Sequence, residues 1–212
     1  IKGSQTPDNA RIFFDQAYVF FHSQEVDRVK ELTNEHYSNE ELFIPIILKS
    51  SSSRLIVRSV ISAPEDEGFN KRTFYYGIYN QLADDFADLF DDMDAGAVTP
   101  YTYYLTYHDK RPELINPFEL YWTVIYNLIH HVYDSDPHAC EVILDRAING
   151  LKRNKERLGT KKYDELMKLL TANIPAFNSL IQTMVQKADD VDFFDKLLRD
   201  HILSNMRKDR QE

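Results

Sequence analysis

The sequence predicts a mainly helical α+β domain, and three observations carry that prediction. Glycine is scarce, at six residues in 212, so few turns need positive φ. That suits helices joined by short polar loops. Apolar residues recur at steps of three and four over most of the chain, the period of an amphipathic helix. Two stretches, 42–61 and 101–108, depart from that period with β-branched or alternating residues and predict a small antiparallel sheet. The alternative is all-α, a helical bundle or HEAT-like array in which 38–63 is an antiparallel helix pair.

Thr6-Pro7-Asp8 reads as a helix start, with Thr as N-cap and Pro at the first helical position. That helix runs to about Phe21, with Ile12, Phe13, Tyr18, Phe20 and Phe21 as a broad apolar face. Ser23 caps a second helix carrying Val26, Val29 and Leu32. Ser38 followed three residues on by Glu41 is a capping-box pattern. Against it, Leu42–Leu48 and Arg54–Ile61 are rich in strand formers and flank Ser50-Ser51-Ser52-Ser53, as in a hairpin with a polar loop. Pro45 is poorly placed inside a helix and tolerable in an edge strand. Strands at 42–48 and 54–61 follow.

Arg72 to Asp92 predicts a helix, with Tyr75, Tyr79, Leu82, Phe86 and Leu89 on one side and Asp84, Asp85, Asp88, Asp91 and Asp92 largely on the other. Tyr101, Tyr103, Leu105 and Tyr107 then alternate with Thr102, Tyr104, Thr106 and His108, a period of two that predicts a strand. From Pro117 onward the pattern is helical: 118–133, a helix from Asp136-Pro137 to about Arg157, then 161–173, 175–187 and 190–206. One domain over 1–212 is expected, a mixed part (1–110) packed on a helical part (111–206).

Charge is concentrated. Residues 62–119 hold twelve Asp/Glu against four Lys/Arg, a balance of −8 in a chain of −9. The same segment holds most of the tyrosine clusters. A mirror-image basic run follows, with eight Lys/Arg against four Asp/Glu over 145–170. The overall negative charge repels phosphate on average, so nucleic acid is an unlikely partner. No apolar run approaches the ~20 residues of a membrane span, and no membrane association is expected. A single cysteine, Cys140, excludes an internal disulfide; a reducing compartment follows, cytoplasmic, or nuclear if the source is eukaryotic. The chain opens Ile1-Lys2-Gly3-Ser4 without a methionine, and a longer parent protein is expected.

Several motifs bear on chemistry. Asp84-Asp85-Phe86-Ala87-Asp88 spells DDxxD, which places carboxylates on one helix face where they can hold Mg²⁺ and a diphosphate. This spacing resembles the aspartate-rich motif of prenyltransferases and terpene synthases. The resemblance covers five residues, and the second metal-binding motif of those enzymes is absent. His130, His131, Asp134, Asp136 and His138 form the densest set of potential metal ligands, but His138 lies beyond Pro137 on a new helix, and Cys140 points away from it. A helix end carrying histidines in its last turn explains the pair without metal. No metal site or cofactor is assigned.

The leading functional expectation is a non-catalytic interaction or scaffold domain. Its acidic, tyrosine-rich surface would use Tyr75, Tyr76, Asp84, Asp88, Asp91, Tyr101, Tyr103, Tyr104 and Tyr107 to bind a protein with a basic or amphipathic segment. Tyrosine suits interfaces because one end is apolar and the other polar. Self-association, with the basic helix of one copy on the acidic face of another, is a further possibility. The alternatives are a metal-dependent enzyme built on Asp84, Asp85 and Asp88, and an anion- or nucleic-acid-binding module using Arg153, Lys155, Arg157, Lys161 and Lys162 of the basic stretch 146–162.

Overall fold

A computed structural model describes residues 7–61, 67–159 and 161–163. The chain divides into two units, Ile1–Ala172 and Asn173–Glu212, and every described residue belongs to the first. The predicted helices at 175–187 and 190–206, and all but the start of 161–173, lie outside the described residues.

The described residues are helical and contain no strand. α1 spans Pro7–Arg28, α2 Asn39–Val60, α3 Phe69–Ala87, α4 Leu89–Ala95, α5 Pro100–Tyr107, α6 Pro117–Asn127 and α7 Pro137–Leu158. A π-helical turn, Leu128–Val132, extends α6. α2 packs on α1 and α3, and α3 also touches α4, α5, α6 and α7, so α3 is the central element. Ser23 starts no second helix; it is buried within α1. The predicted helix 72–92 is interrupted at Asp88, where φ −96° and ψ 4° separate α3 from α4.

The predicted sheet is absent from the described residues, and both of its parts are helices. At 42–61 the capping box prevails. Ser38 N donates to Glu41 Oε2 at 2.8 Å and Glu41 N donates to Ser38 Oγ at 3.2 Å, satisfying two of the amides a helix start leaves open. Pro45 lies buried inside α2, where it removes only the hydrogen bond its own amide would make to the Glu41 carbonyl. The serines are not a loop: Ser50, Ser51 and Ser52 are buried in the middle of the helix. The small side chain of Ser51 lets α3 approach closely at Gly77. At 101–108, Thr99 and Pro100 start a helix. Thr102 N donates to Thr99 Oγ1 at 3.2 Å and Thr99 N to Thr102 Oγ1 at 2.9 Å. The alternation of tyrosines over eight residues is shared by a helix whose rings are buried on two sides.

The core is aromatic. Phe86, Tyr101 and Phe118 are fully buried, and Tyr121 and Tyr79 nearly so. Ring centroids lie 4.9 Å apart for Tyr101 and Phe118, and 5.7 Å apart for Phe86 and Tyr121, separations that favour edge-on and tilted pairs. α7 enters this core through Ile143, Ala147 and Gly150. A Cβ on Gly150 would lie 3.3 Å from Phe86 Cδ1, so the helix sits directly on that ring.

Candidate functional site

The tyrosines named from the sequence are mostly interior. Tyr75, Tyr101, Tyr103 and Tyr107 are buried, while Tyr76 and Tyr104 are half-buried. Burial of a phenol requires a partner for its hydroxyl, and backbone carbonyls supply several. Tyr101 Oη donates to Leu82 O at 3.1 Å, Tyr107 Oη to Leu32 O at 2.7 Å, and Tyr79 Oη to Ile143 O at 2.9 Å. Tyr103 Oη accepts from Tyr37 N at 3.1 Å and from Arg111 Nη1 at 3.0 Å. Desolvation raises the pKa of the Tyr79, Tyr101, Tyr103, Tyr104 and Tyr121 phenols.

The acidic and basic segments meet within one chain. Arg146 Nη2 donates to Asp84 Oδ1 and its Nη1 donates to Asn80 Oδ1. Arg153 pairs with Asp88 and Asp91, each at 2.9 Å. Arg157 pairs with Asp91 at 3.2 Å and Asp94 at 2.8 Å. Arg153, Arg157, Asp88 and Asp91 are about half exposed and Asp94 more so, and each such pair contributes roughly 0–1 kcal/mol. Beneath them Asn154 is buried, and its Nδ2 donates at 2.8 Å to the Phe86 carbonyl in the last turn of α3. Of the other basic residues, Lys155 lies over the Tyr163 ring at 5.8 Å, and Lys161 and Lys162 are exposed.

The three aspartates of DDxxD point in two directions. Asp84 and Asp88 face the arginines of α7. Asp85 is buried on the side of α1 and α2, accepts from Gln81 Nε2 at 2.7 Å through Oδ1, and has no hydrogen-bond partner at Oδ2. Burial pushes its carboxyl up to about 7, with nearby Lys49 opposing and Asp92 and Asp27 adding to the rise. The histidines are likewise dispersed. His130 and His131 are exposed on the π turn, with Tyr126 packed on His130 at 4.3 Å. His138 lies 4.0 Å from Glu141. The Cys140 thiol donates to the Tyr133 carbonyl at 3.2 Å. Among the described residues no three His, Cys, Asp or Glu side chains gather closely enough to hold a metal ion.

Two features escaped sequence reasoning. Arg111 ties the loop after α1 to α5, donating from Nη1 to the carbonyls of Glu35 and Tyr37, each at 2.8 Å, and from Nε to Glu113 at 2.7 Å. The other is the outward face of α1. Val19 and Ser23 are buried and Phe13 and Phe20 are half-buried, while Phe14 is 69% exposed, Tyr18 48% and Phe21 64%. The spacing of those three, i, i+4 and i+7, puts them in one line on the helix. The signal was present in the sequence: α1 carries more large rings than one buried face accommodates.

No helix among the described residues is long and apolar enough to cross a membrane. The chain matches no family model, and comparison with curated proteins and with solved structures returned no match.

Proposed function

We propose that this domain is a non-catalytic protein-interaction module whose contact surface is the outer face of α1, taking an amphipathic helix of a partner protein. The observation that carries the reading is the exposed line Phe14–Tyr18–Phe21. A large ring contributes about 150–250 Å² of surface when buried. Three rings at these exposures leave an aromatic strip of a few hundred Å² on the surface, the size at which patches on a monomer are often functional. Rings held on a rigid helix with two χ angles each anchor a contact at small entropic loss. Arg11, Asp15 and Glu25, all exposed, supply a polar rim with both charge signs. The acidic face expected to meet a basic partner is already paired to α7, which directs the reading to α1.

The test is a pair of substitutions, Phe14→Ser with Phe21→Ser. A protein captured by the wild-type chain is purified and its affinity for both chains measured directly. Loss of binding with a nearly unchanged melting temperature supports the reading. Unchanged affinity, or a collapse of stability in the variant, overturns it. Sedimentation of the purified chain separates a partner helix from a second copy.

A further inference from the structure

We propose that the groove between α1 and α3, floored by α2, is an anion site that takes a phosphate-bearing small molecule on Arg54 and Lys49. The groove is open to solvent, offers about 540 Å³, and is lined by Phe20 of α1, Lys49, Ser53 and Arg54 of α2, and Asn80 and Gln81 of α3, among others. That volume lies within the range of about 300–1,000 Å³ typical of small-molecule sites.

Arg54 is the reason for an anion. Its guanidinium is half-buried, and among the described residues it makes no ion pair. By contrast Arg146, Arg153 and Arg157 each hold a carboxylate. Nη1 of Arg54 donates to the Ser50 carbonyl at 2.6 Å and to Ser50 Oγ at 2.9 Å, and the group lies over the Tyr76 ring at 5.0 Å. The fork is therefore fixed in direction while Nε and Nη2 remain uncommitted. Burial lowers its pKa, with Arg146 acting in the same sense and Tyr76, Asp84 and Tyr133 opposing. A cation taken from water without a bonded counter-charge is unfavourable, and an anion relieves it. Guanidinium is the group best shaped to meet a phosphate with two parallel hydrogen bonds.

Lys49 is the second anchor. It lies 3.3 Å from Asp27, but Asp27 is shared with Lys30 at 2.8 Å, so one carboxylate serves two ammonium groups. Among the described residues the groove lining carries Lys49 and Arg54 and no carboxylate, while Asp27, Asp84, Asp85 and Asp92 stand behind it. On a chain of −9 this is a local reversal of sign, and a groove with such a reversal concentrates anions. Phe20 and Val57 at the margin offer apolar surface to the organic part of the ligand.

Pyrophosphate is the probe. It is titrated into the full chain at low ionic strength, with binding read by calorimetry and by amide NMR shifts. The expected result is binding with shifts gathered on 49–54 and 80–81. Arg54→Gln weakens it about tenfold or more, the loss of a charge-assisted forked contact. Lys49→Gln weakens it less, and Arg157→Gln leaves it unchanged. Shifts gathered instead on the basic end of α7, no binding at millimolar pyrophosphate, or equal affinity in Arg54→Gln overturns the proposal. The NMR map on the wild-type chain decides even where Arg54→Gln does not fold. Binding of a phosphoserine peptide without binding of pyrophosphate also overturns it, in favour of a macromolecular ligand.

Discussion

Gly77 of α3 lies directly against Ser51 of α2: a Cβ built on Gly77 would come within 2.4 Å of Ser51 Oγ and 3.2 Å of Ser51 Cα. Both the hydroxyl and the backbone would have to move to admit a methyl group. Gly77→Ala is therefore expected to destabilise the chain by about 1–3 kcal/mol, the usual range for overpacking, and by more if α2 and α3 must separate. A lower denaturation midpoint with an unchanged m-value checks this. Ser51→Ala is expected to behave oppositely. Its Oγ is buried without a hydrogen-bond partner, so removing it is neutral or stabilising.

Asp85 sets a pH dependence. Its folded-state pKa, about 7, stands above the unfolded value of 3.8. The folded chain thus holds a proton that the unfolded chain releases between these limits. Stability falls as pH rises through that window, and the full penalty is present above it. At ~1.4 kcal/mol per unit the penalty is at most about 4 kcal/mol. Asp85→Asn keeps the shape and removes the charge. The variant is expected to be more stable than wild type at pH 8, with the gap closing toward pH 4. Parallel curves for the two chains across that range would refute the assignment.

The α3–α7 contacts differ in weight. Arg153→Ala and Arg157→Ala remove half-exposed pairs and are expected to cost about 1 kcal/mol or less each, with the loss shrinking at high salt. Asn154→Ala leaves the buried Phe86 carbonyl without its side-chain donor and is expected to cost about 1–3 kcal/mol, independent of salt. Chemical denaturation at low and high salt distinguishes the two behaviours.

Removing a single hydroxyl probes the tyrosine core. Tyr79→Phe deletes the bond to the Ile143 carbonyl that joins α3 to α7, and about 1 kcal/mol of destabilisation is expected. A larger loss would mean that the ring itself has shifted. The outer face of α1 gives the contrasting case: Phe14→Ser and Phe21→Ser remove exposed rings and are expected to change stability by no more than about 0.5 kcal/mol.

Helix starts were the most legible part of the sequence. Ser38 with Glu41 and Asp136 with Pro137 cap helices as the patterns imply. Residues 42–61 were misread because α2 packs on both α1 and α3. A helix buried on two sides loses the one-sided period, and its β-branched residues then resemble a strand. The four serines resemble a loop on polarity alone, although the small size of Ser51 is what the α2–α3 crossing at Gly77 requires. The charged residues of the site were visible, but their pairing was not. Asp84 and Arg146 are 62 residues apart, and local pattern carries no information on which distant segments meet. Tyrosines looked superficial because the carbonyls that receive their hydroxyls, such as Leu82 and Leu32, lie on other elements.

The contacts between the acidic and basic helices advance together: Tyr79 with Ile143, Asp84 with Arg146, Phe86 with Asn154, Asp94 with Arg157. The α3–α4 segment and α7 therefore run in the same direction. Parallel neighbours cannot be joined by a tight turn, so the chain between them must travel back the length of the pair before α7 begins. α5 and α6, with their connecting loops, form that return path, which gives the aromatic helices at 100–127 a topological role as well as a packing one. Any deletion that shortens this return should leave α7 unable to reach its register, even with every arginine and aspartate intact.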